Sequence, residues 1–210
     1  MDPSGQRSDA ERLWETAQAL NRAAGDVSGA LPPMLFFTDP ERTSRPWETA
    51  ARLPAGAGVV FRTFGRDDAL ETGRRLRAAT RAAGVRLLVG LDVGLAETLE
   101  ADGLHLPERA LGEADPVRVA HPEWLLTGAA HSVEAARAAP GALDAVVLSP
   151  IFLAGGTSGI KPPLGVETLK MVAALRSTYA LGGVTGETVE VLTGSGACGF
   201  AAVGAIQATF

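Results

Sequence analysis

The residues best placed to do chemistry lie in the C-terminal third, where apolar runs repeatedly end in small residues. Ser149-Pro150-Ile151-Phe152 leads into Gly155-Gly156-Thr157-Ser158-Gly159-Ile160-Lys161, and Leu181-Gly182-Gly183-Val184 and Ala202-Val203-Gly204-Ala205-Ile206 follow. A strand ending in Gly, Ser or Thr leaves room for a ligand and bare backbone N–H groups to hold it. Two consecutive strands ending at Gly182-Gly183 and Gly204-Ala205, each followed by a helix start, suit the phosphate site of a (β/α)8 barrel. The competing reading is that these glycines only make tight turns. Thr157, Ser158 and Lys161 add two hydroxyls and an ammonium that could meet phosphate, in a small-residue loop of lid-like composition. The chemistry indicated is that of an enzyme acting on a phosphorylated small molecule.

The elements that must position these residues alternate along the chain. Residues 9–24 read as a helix with Leu13, Ala17 and Leu20 on one face and Ser8 or Asp9 as cap. Strands are expected at 34–38, 58–64, 85–91, 103–106, 124–129, 145–149, 178–181 and 200–203. Helices are expected at 46–53 (Ser44 as cap), 67–83 (Leu70, Leu76 and Ala79 inward), 94–101, 132–139, 166–175 and 187–192, with an irregular stretch from 107 through Pro116. Short apolar strands alternating with helices imply a parallel sheet, and eight such units favour a closed α/β barrel, a (β/α)8 TIM barrel. An open doubly wound sheet is the alternative. The expected division is an N-terminal tail and extra helix, 1–33, and a single barrel domain, 34–210. Asp102 and Asp144 each enter a strand from a helix, which puts them on the stability face of a barrel, away from the chemistry.

Composition narrows the function classes. The chain has 210 residues, 46% hydrophobic and 20% charged, with a net charge of −5. Without a basic run, neither nucleic acid nor a polybasic membrane contact is expected as a partner. No stretch reaches a membrane-spanning length. One cysteine, Cys198, excludes an intrachain disulfide and suits a reducing cytoplasm, with the thiol packed in the core. His105, inside a strand, reads as a packed histidine and His121 as exposed. A homo-oligomer is left open.

Taken in order, several segments resemble the thiamine-phosphate synthase/TenI superfamily. They are Leu35-Phe36-Phe37-Thr38-Asp39, Ala101-Asp102-Gly103-Leu104-His105-Leu106, Ala130-His131-Ser132-Val133-Glu134-Ala135, Ser149-Pro150-Ile151-Phe152, Pro162-Pro163-Leu164-Gly165, Leu181-Gly182-Gly183-Val184 and Val203-Gly204-Ala205-Ile206. The resemblance spans most of residues 34–206 and implies the same barrel. It also implies the coupling of hydroxymethylpyrimidine diphosphate to thiazole phosphate, with Mg²⁺ helping pyrophosphate leave.

What the resemblance implies for single residues is uneven. The synthases' Gln-x-Arg-x-Lys-like run corresponds to Phe61-Arg62-Thr63-Phe64-Gly65-Arg66, which leaves Arg62 as the catalytic cation together with Lys161. Gly90-Leu91 stands where the synthases carry Asn-Asp, so Asp92 and Glu108 become the metal candidates, with Arg109 a further cation. Gly182, Gly183, Gly204 and Ala205, with Thr157, Ser158 and His131, become the substrate- and phosphate-binding set, His131 having helix capping as its rival role. The synthases' Ser/Thr-rich run before the histidine is replaced by Ala129-Ala130. Two alternatives stay open: a barrel that binds a phosphorylated thiazole or pyrimidine without coupling it, and a TenI-like thiazole tautomerase. The second lacks its histidine, because Pro150 stands at that position.

Overall fold

In the computed structural model, which describes residues 7–25, 31–153 and 162–210, eight parallel strands pair in chain order and close on themselves. They are β1 (Met34–Phe37), β2 (Gly58–Phe61), β3 (Arg86–Gly90), β4 (Gly103–Leu106), β5 (Leu125–Ala130), β6 (Ala145–Leu148), β7 (Thr178–Leu181) and β8 (Gly199–Ala202). The seam is β1 against β8, with Leu35 opposite Ala201 and Phe36 opposite Ala202. The closed (β/α)8 barrel is therefore the fold, and the open sheet is excluded.

Side chains alternate across each strand. One set, including Phe36, Val59, Val89, Leu104, Val146 and Phe200, packs beneath the helices. The other, including Leu35, Phe37, Val60, Leu88, Val147 and Tyr179, fills the barrel. Both faces are dry, which is why the strands read as unbroken apolar runs and not as alternating ones. The buried Tyr179 hydroxyl donates to the Pro32 carbonyl at 2.7 Å, so this polar handle of the interior is satisfied.

The outer layer is α1 (Asp9–Ala23), α2 (Pro46–Ala50), α3 (Ala69–Ala83), α4 (Val93–Thr98), α5 (Ala114–Ala120), α6 (Val133–Ala138), α7 (Gly165–Ala173) and α8 (Gly204–Thr209). Ser8 caps α1 through a reciprocal box with Glu11. The buried face of α1, formed by Leu13, Thr16, Ala17 and Leu20, lies against β1, β8 and the 3₁₀ turn Val189–Leu192. The N-terminal helix thus joins the outer ring instead of plugging the barrel. Asn21 ties its end down by donating to the carbonyls of Leu31 and Cys198 at 3.2 and 2.9 Å. Among the described residues, no helix is long and apolar enough to cross a membrane.

Some elements differ from the sequence reading. The stretch after β4 holds a 3₁₀ turn, Glu108–Glu113, and then α5. Pro116 is the third residue of α5, where a helix has no use for its N–H, so this proline starts a helix where the reading let it end a loop. Leu70 was expected inward but is exposed, because α3 turns Gly73, Leu76 and Thr80 to the core. Arg45, not Ser44, is the N-cap residue of α2, with Pro46 at the first helical position. His121 was expected exposed. It is instead half-buried, stacked on Trp124 with ring centroids 3.7 Å apart, and lies 3.1 Å from Glu97.

Asp102 and Asp144 repeat one device at the bottom of the barrel. Asp102 accepts the Leu87 N–H at 2.7 Å and pairs bidentately with Arg77. Asp144 accepts the Leu126 N–H at 2.7 Å and pairs with Arg118. Each carboxylate pins the preceding strand and orients an arginine. Replacing either by Ala should cost about 1–3 kcal/mol, the usual loss when a charged acceptor leaves a partly buried N–H unmade. Urea unfolding of Asp144→Ala checks this, and an unchanged midpoint would remove the device from the account of stability.

Candidate active site

The C-terminal ends of the strands form one open mouth. Toward β6, β7 and β8 it holds a cavity of about 230 Å³ whose walls include Arg42, Arg62, Ser149, Gly183, Val203 and Gly204. A smaller one of about 110 Å³ lies on the other side of Arg62, between the β1 and β2 loops and the starts of α2 and α3. Arg62 is the wall the two share.

Arg62 is held from several directions. Its backbone N–H donates to Thr38 Oγ1 at 2.9 Å, and its Nε to the Thr38 carbonyl at 2.7 Å. The guanidinium lies over the Phe37 and Phe64 rings, 5.3 and 5.2 Å from their centroids. Gly90 gives it room: a Cβ there would meet Phe61 O at 3.3 Å and Arg62 Cγ at 3.4 Å. Asp39 Oδ2 is 3.9 Å from Nη2, beyond hydrogen-bond length, and that buried nitrogen has no partner among the described residues. Burial pulls the guanidinium down to about 10, with Asp39 opposing and Arg42 adding to the fall, so it remains a cation at neutral pH. A desolvated cation with an unmade hydrogen bond is suited to receiving an anionic ligand.

The glycines separate into two kinds. Gly182 and Gly183 have φ of +99° and +67°, and a Cβ at Gly183 would come within 2.5 Å of the Leu153 carbonyl. The chain after β6 lies against them, so packing alone demands glycine at both. Gly204 has nothing within 4 Å of where a Cβ would stand, and it is exposed. The Gly183 N–H has no acceptor among the described residues. Gly204 and Ala205 open α8, whose first N–H groups have no intrahelical partner. Bare donors therefore do line this wall.

His131 enters the mouth at the end of β5. Its Nδ1 is 2.9 Å from the Ser149 carbonyl and 3.2 Å from Ser149 Oγ. A carbonyl only accepts, so the shorter bond puts a proton on Nδ1 and leaves Nε2 as an acceptor in the neutral ring. Capping of α6 falls to Ser132, which accepts the Ala135 N–H at 3.0 Å, and not to His131. Below this layer His105 is buried, bonded to Thr127 Oγ1 at 2.9 Å and edge-on to Phe37. Cys198 is buried as expected, its thiol pushed up to about 12 by burial.

The two metal candidates sit differently. Asp92 caps α4, with Oδ1 accepting the Leu95 N–H at 2.9 Å. Glu108 Oε2 accepts the His131 N–H at 2.7 Å. Each carboxylate thus has one oxygen committed to backbone. Among the described residues, no three of His, Cys, Asp and Glu gather as a metal-binding group. These donors do not fit a protein cage for Mg²⁺. Thr157, Ser158 and Lys161 lie outside the described residues.

Sequence reasoning passed over Arg42. Nε and Nη2 of Arg42 both donate to Asp39 Oδ2, at 3.1 and 2.9 Å, and Arg42 lines the larger cavity. Its only sequence signal is an Asp and an Arg three apart just after the first strand, a pair that is ordinary on any loop.

Comparison with known proteins bears on what this mouth does. Residues 36–206 match the family model described as thiamine monophosphate synthase. A thiamine-phosphate synthase of Geobacillus kaustophilus is 31% identical over 196 residues, 88% of each chain. A putative thiamine-phosphate synthase 2 of Aquifex aeolicus is 35% identical over 133 residues, 62% of this chain and 70% of that one. Among solved structures, a thiamine phosphate pyrophosphorylase from Pyrococcus furiosus superposes with a TM-score of 0.70 at 18% identity, covering 84% of this chain and 90% of that one.

Proposed function

The chain belongs to the thiamine monophosphate synthase family, and from that premise we propose that it couples hydroxymethylpyrimidine diphosphate to thiazole phosphate. In this reaction the bond between the pyrimidine methylene carbon and the diphosphate oxygen breaks. The thiazole nitrogen bonds to that carbon, and pyrophosphate leaves with the electron pair. The observation that supports the reading is the 230 Å³ cavity, which sets the Arg62 guanidinium opposite the bare strand ends at Gly183 and Gly204.

Each group then has a task. Gly182, Gly183, Gly204 and Ala205 supply the wall that holds the thiazole phosphate. Arg62 meets the negative charge that grows on the departing diphosphate from a mostly buried position, where charge interactions are stronger than in bulk water. Lys161, Thr157 and Ser158 serve the same anions from the loop after β6. His131, fixed by Ser149, presents an acceptor that orients the ligand. Mg²⁺, when bound, supplies positive charge to the diphosphate. Asp92 and Glu108 do not form a cage for it, and no step here is routed through the ion.

Incubation with both substrates and Mg²⁺, followed by measurement of thiamine phosphate and pyrophosphate in equal amounts, tests the proposal. Absence of both products while thiazole phosphate still binds would favour the ligand-binding barrel. That second reading draws on Ala129 and Ala130, which replace the hydroxyls that synthases carry before the histidine.

A further inference from the structure

The closed barrel brings the loop after β1 beside the end of β8. β1 pairs with β8 from Met34 opposite Phe200 to Phe36 opposite Ala202, and α2 packs on α8. The loop after β1 and the segment after β8 are therefore neighbours at the barrel mouth. Arg42 projects from this loop into the larger cavity.

The loop is built to hold that arginine still. Asp39 O accepts the N–H groups of Arg42 and Thr43 at 3.0 and 2.7 Å. Thr43, itself buried, donates its hydroxyl to the Asp39 carbonyl and accepts the Asp39 N–H, both at 2.8 Å. Asp39 Oδ1 accepts the Glu41 N–H at 3.1 Å, while Oδ2 takes Nε and Nη2 of Arg42. Burial works against the Asp39 carboxylate, but the Arg42 and Glu41 hydrogen bonds outweigh it and hold its pKa below the usual range. Nη1 of Arg42 has no hydrogen-bond partner among the described residues, and neither does either terminal nitrogen of Arg62. Two guanidiniums thus face one cavity with a single carboxylate between them. Among the described residues these three groups leave one excess positive charge, in a chain whose net charge is −5.

We propose that Arg42 is a phosphate-binding residue: it grips a phosphate monoester dianion in the cavity that Gly183 and Gly204 also line with bare backbone. Asp39 fixes the plane of the guanidinium, so that Nη1 is presented without the entropic cost of ordering a free surface arginine. The inference rests on the reading of this cavity as the phosphate subsite and adds to it a residue that no motif of the chain marks.

Titration of the folded chain with inorganic phosphate, followed by calorimetry, tests it without depending on turnover. Arg42→Gln is expected to weaken phosphate about tenfold to a hundredfold, the worth of one charge-assisted pair. Arg45→Gln, which removes an arginine three residues away that pairs with Glu48 outside the cavity, is expected to bind as the wild type does. Arg42→Lys keeps the charge and loses the planar fork, so its affinity should fall between the two. It also serves as the decisive variant if Arg42→Gln does not fold. Wild-type affinity in Arg42→Gln, or in Arg42→Lys where only that variant folds, would overturn the role of Arg42 and leave the phosphate cavity standing. A wild-type chain that binds no phosphate would overturn both.

Discussion

Arg62→Gln is expected to lower kcat/KM for thiamine phosphate formation by about 10²- to 10³-fold, the range seen when one preorganised donor to a developing negative charge is removed. The argument runs through geometry. The Arg62 stem is fixed by Thr38 and by the space that Gly90 leaves, so the guanidinium needs no reorganisation when the diphosphate begins to depart. Its Nη2 is buried and has no partner among the described residues, a cost that an anion would relieve. The loss should fall mainly on kcat, because charge on the leaving group is greatest in the transition state. Arg62→Lys should recover only part of the rate. An ammonium cannot donate to the Thr38 carbonyl through Nε and still present two further nitrogens to the mouth. Steady-state kinetics on the three proteins, with circular dichroism to show that each is folded, makes the comparison. A kcat/KM for Arg62→Gln within about threefold of wild type would remove Arg62 from the reaction, since a charge worth so little is an ordinary surface contact.

The sequence made the strands legible because a parallel barrel buries both of their faces. Leu35-Phe36-Phe37 and Val146-Val147-Leu148 can hardly be anything but core strand. α5 was missed for another reason: Pro116 looks like a breaker until it is known to occupy a helix's first turn. At the site, the legible residues were those carried by backbone. Gly182, Gly183 and Gly204 were visible as small residues after apolar runs, although only Gly204 has open space where its side chain would be. What could not be read was which partner each charged side chain takes. Whether Asp39 holds Arg42, whether Glu108 bonds the His131 N–H and whether Asp92 caps a helix depend on the turn of a loop, on a neighbouring strand end and on an exact helix start. Charged side chains are ambiguous in a sequence for that reason. The same Asp can ligate, cap or orient, and only its surroundings choose.

His105 should make the fold acid-sensitive well above the range where carboxylates titrate. The ring is buried, and burial first, then the nearby Arg62 cation, pulls its pKa from 6.5 down to about 3. An unfolded chain takes a proton on this histidine below about pH 6.5, whereas the folded chain refuses it until about pH 3. In that window the unfolded state binds more protons, so stability is complete above pH 6.5 and falls as the pH falls. The slope is about 1.4 kcal/mol per pH unit for one proton. Urea unfolding between pH 6 and 4.5 should therefore lose about 2 kcal/mol from this group alone. His105→Gln keeps an amide that can bond Thr127 Oγ1 and has nothing to titrate. Its stability at pH 8 will shift with packing, so the informative quantity is the slope, which should flatten by that one-proton amount relative to the wild type. Parallel curves for the two proteins would mean that the ring titrates normally in the folded chain. The floor under Arg62 would then be wet, and the dry setting that strengthens its grip on an anion would be lost with it.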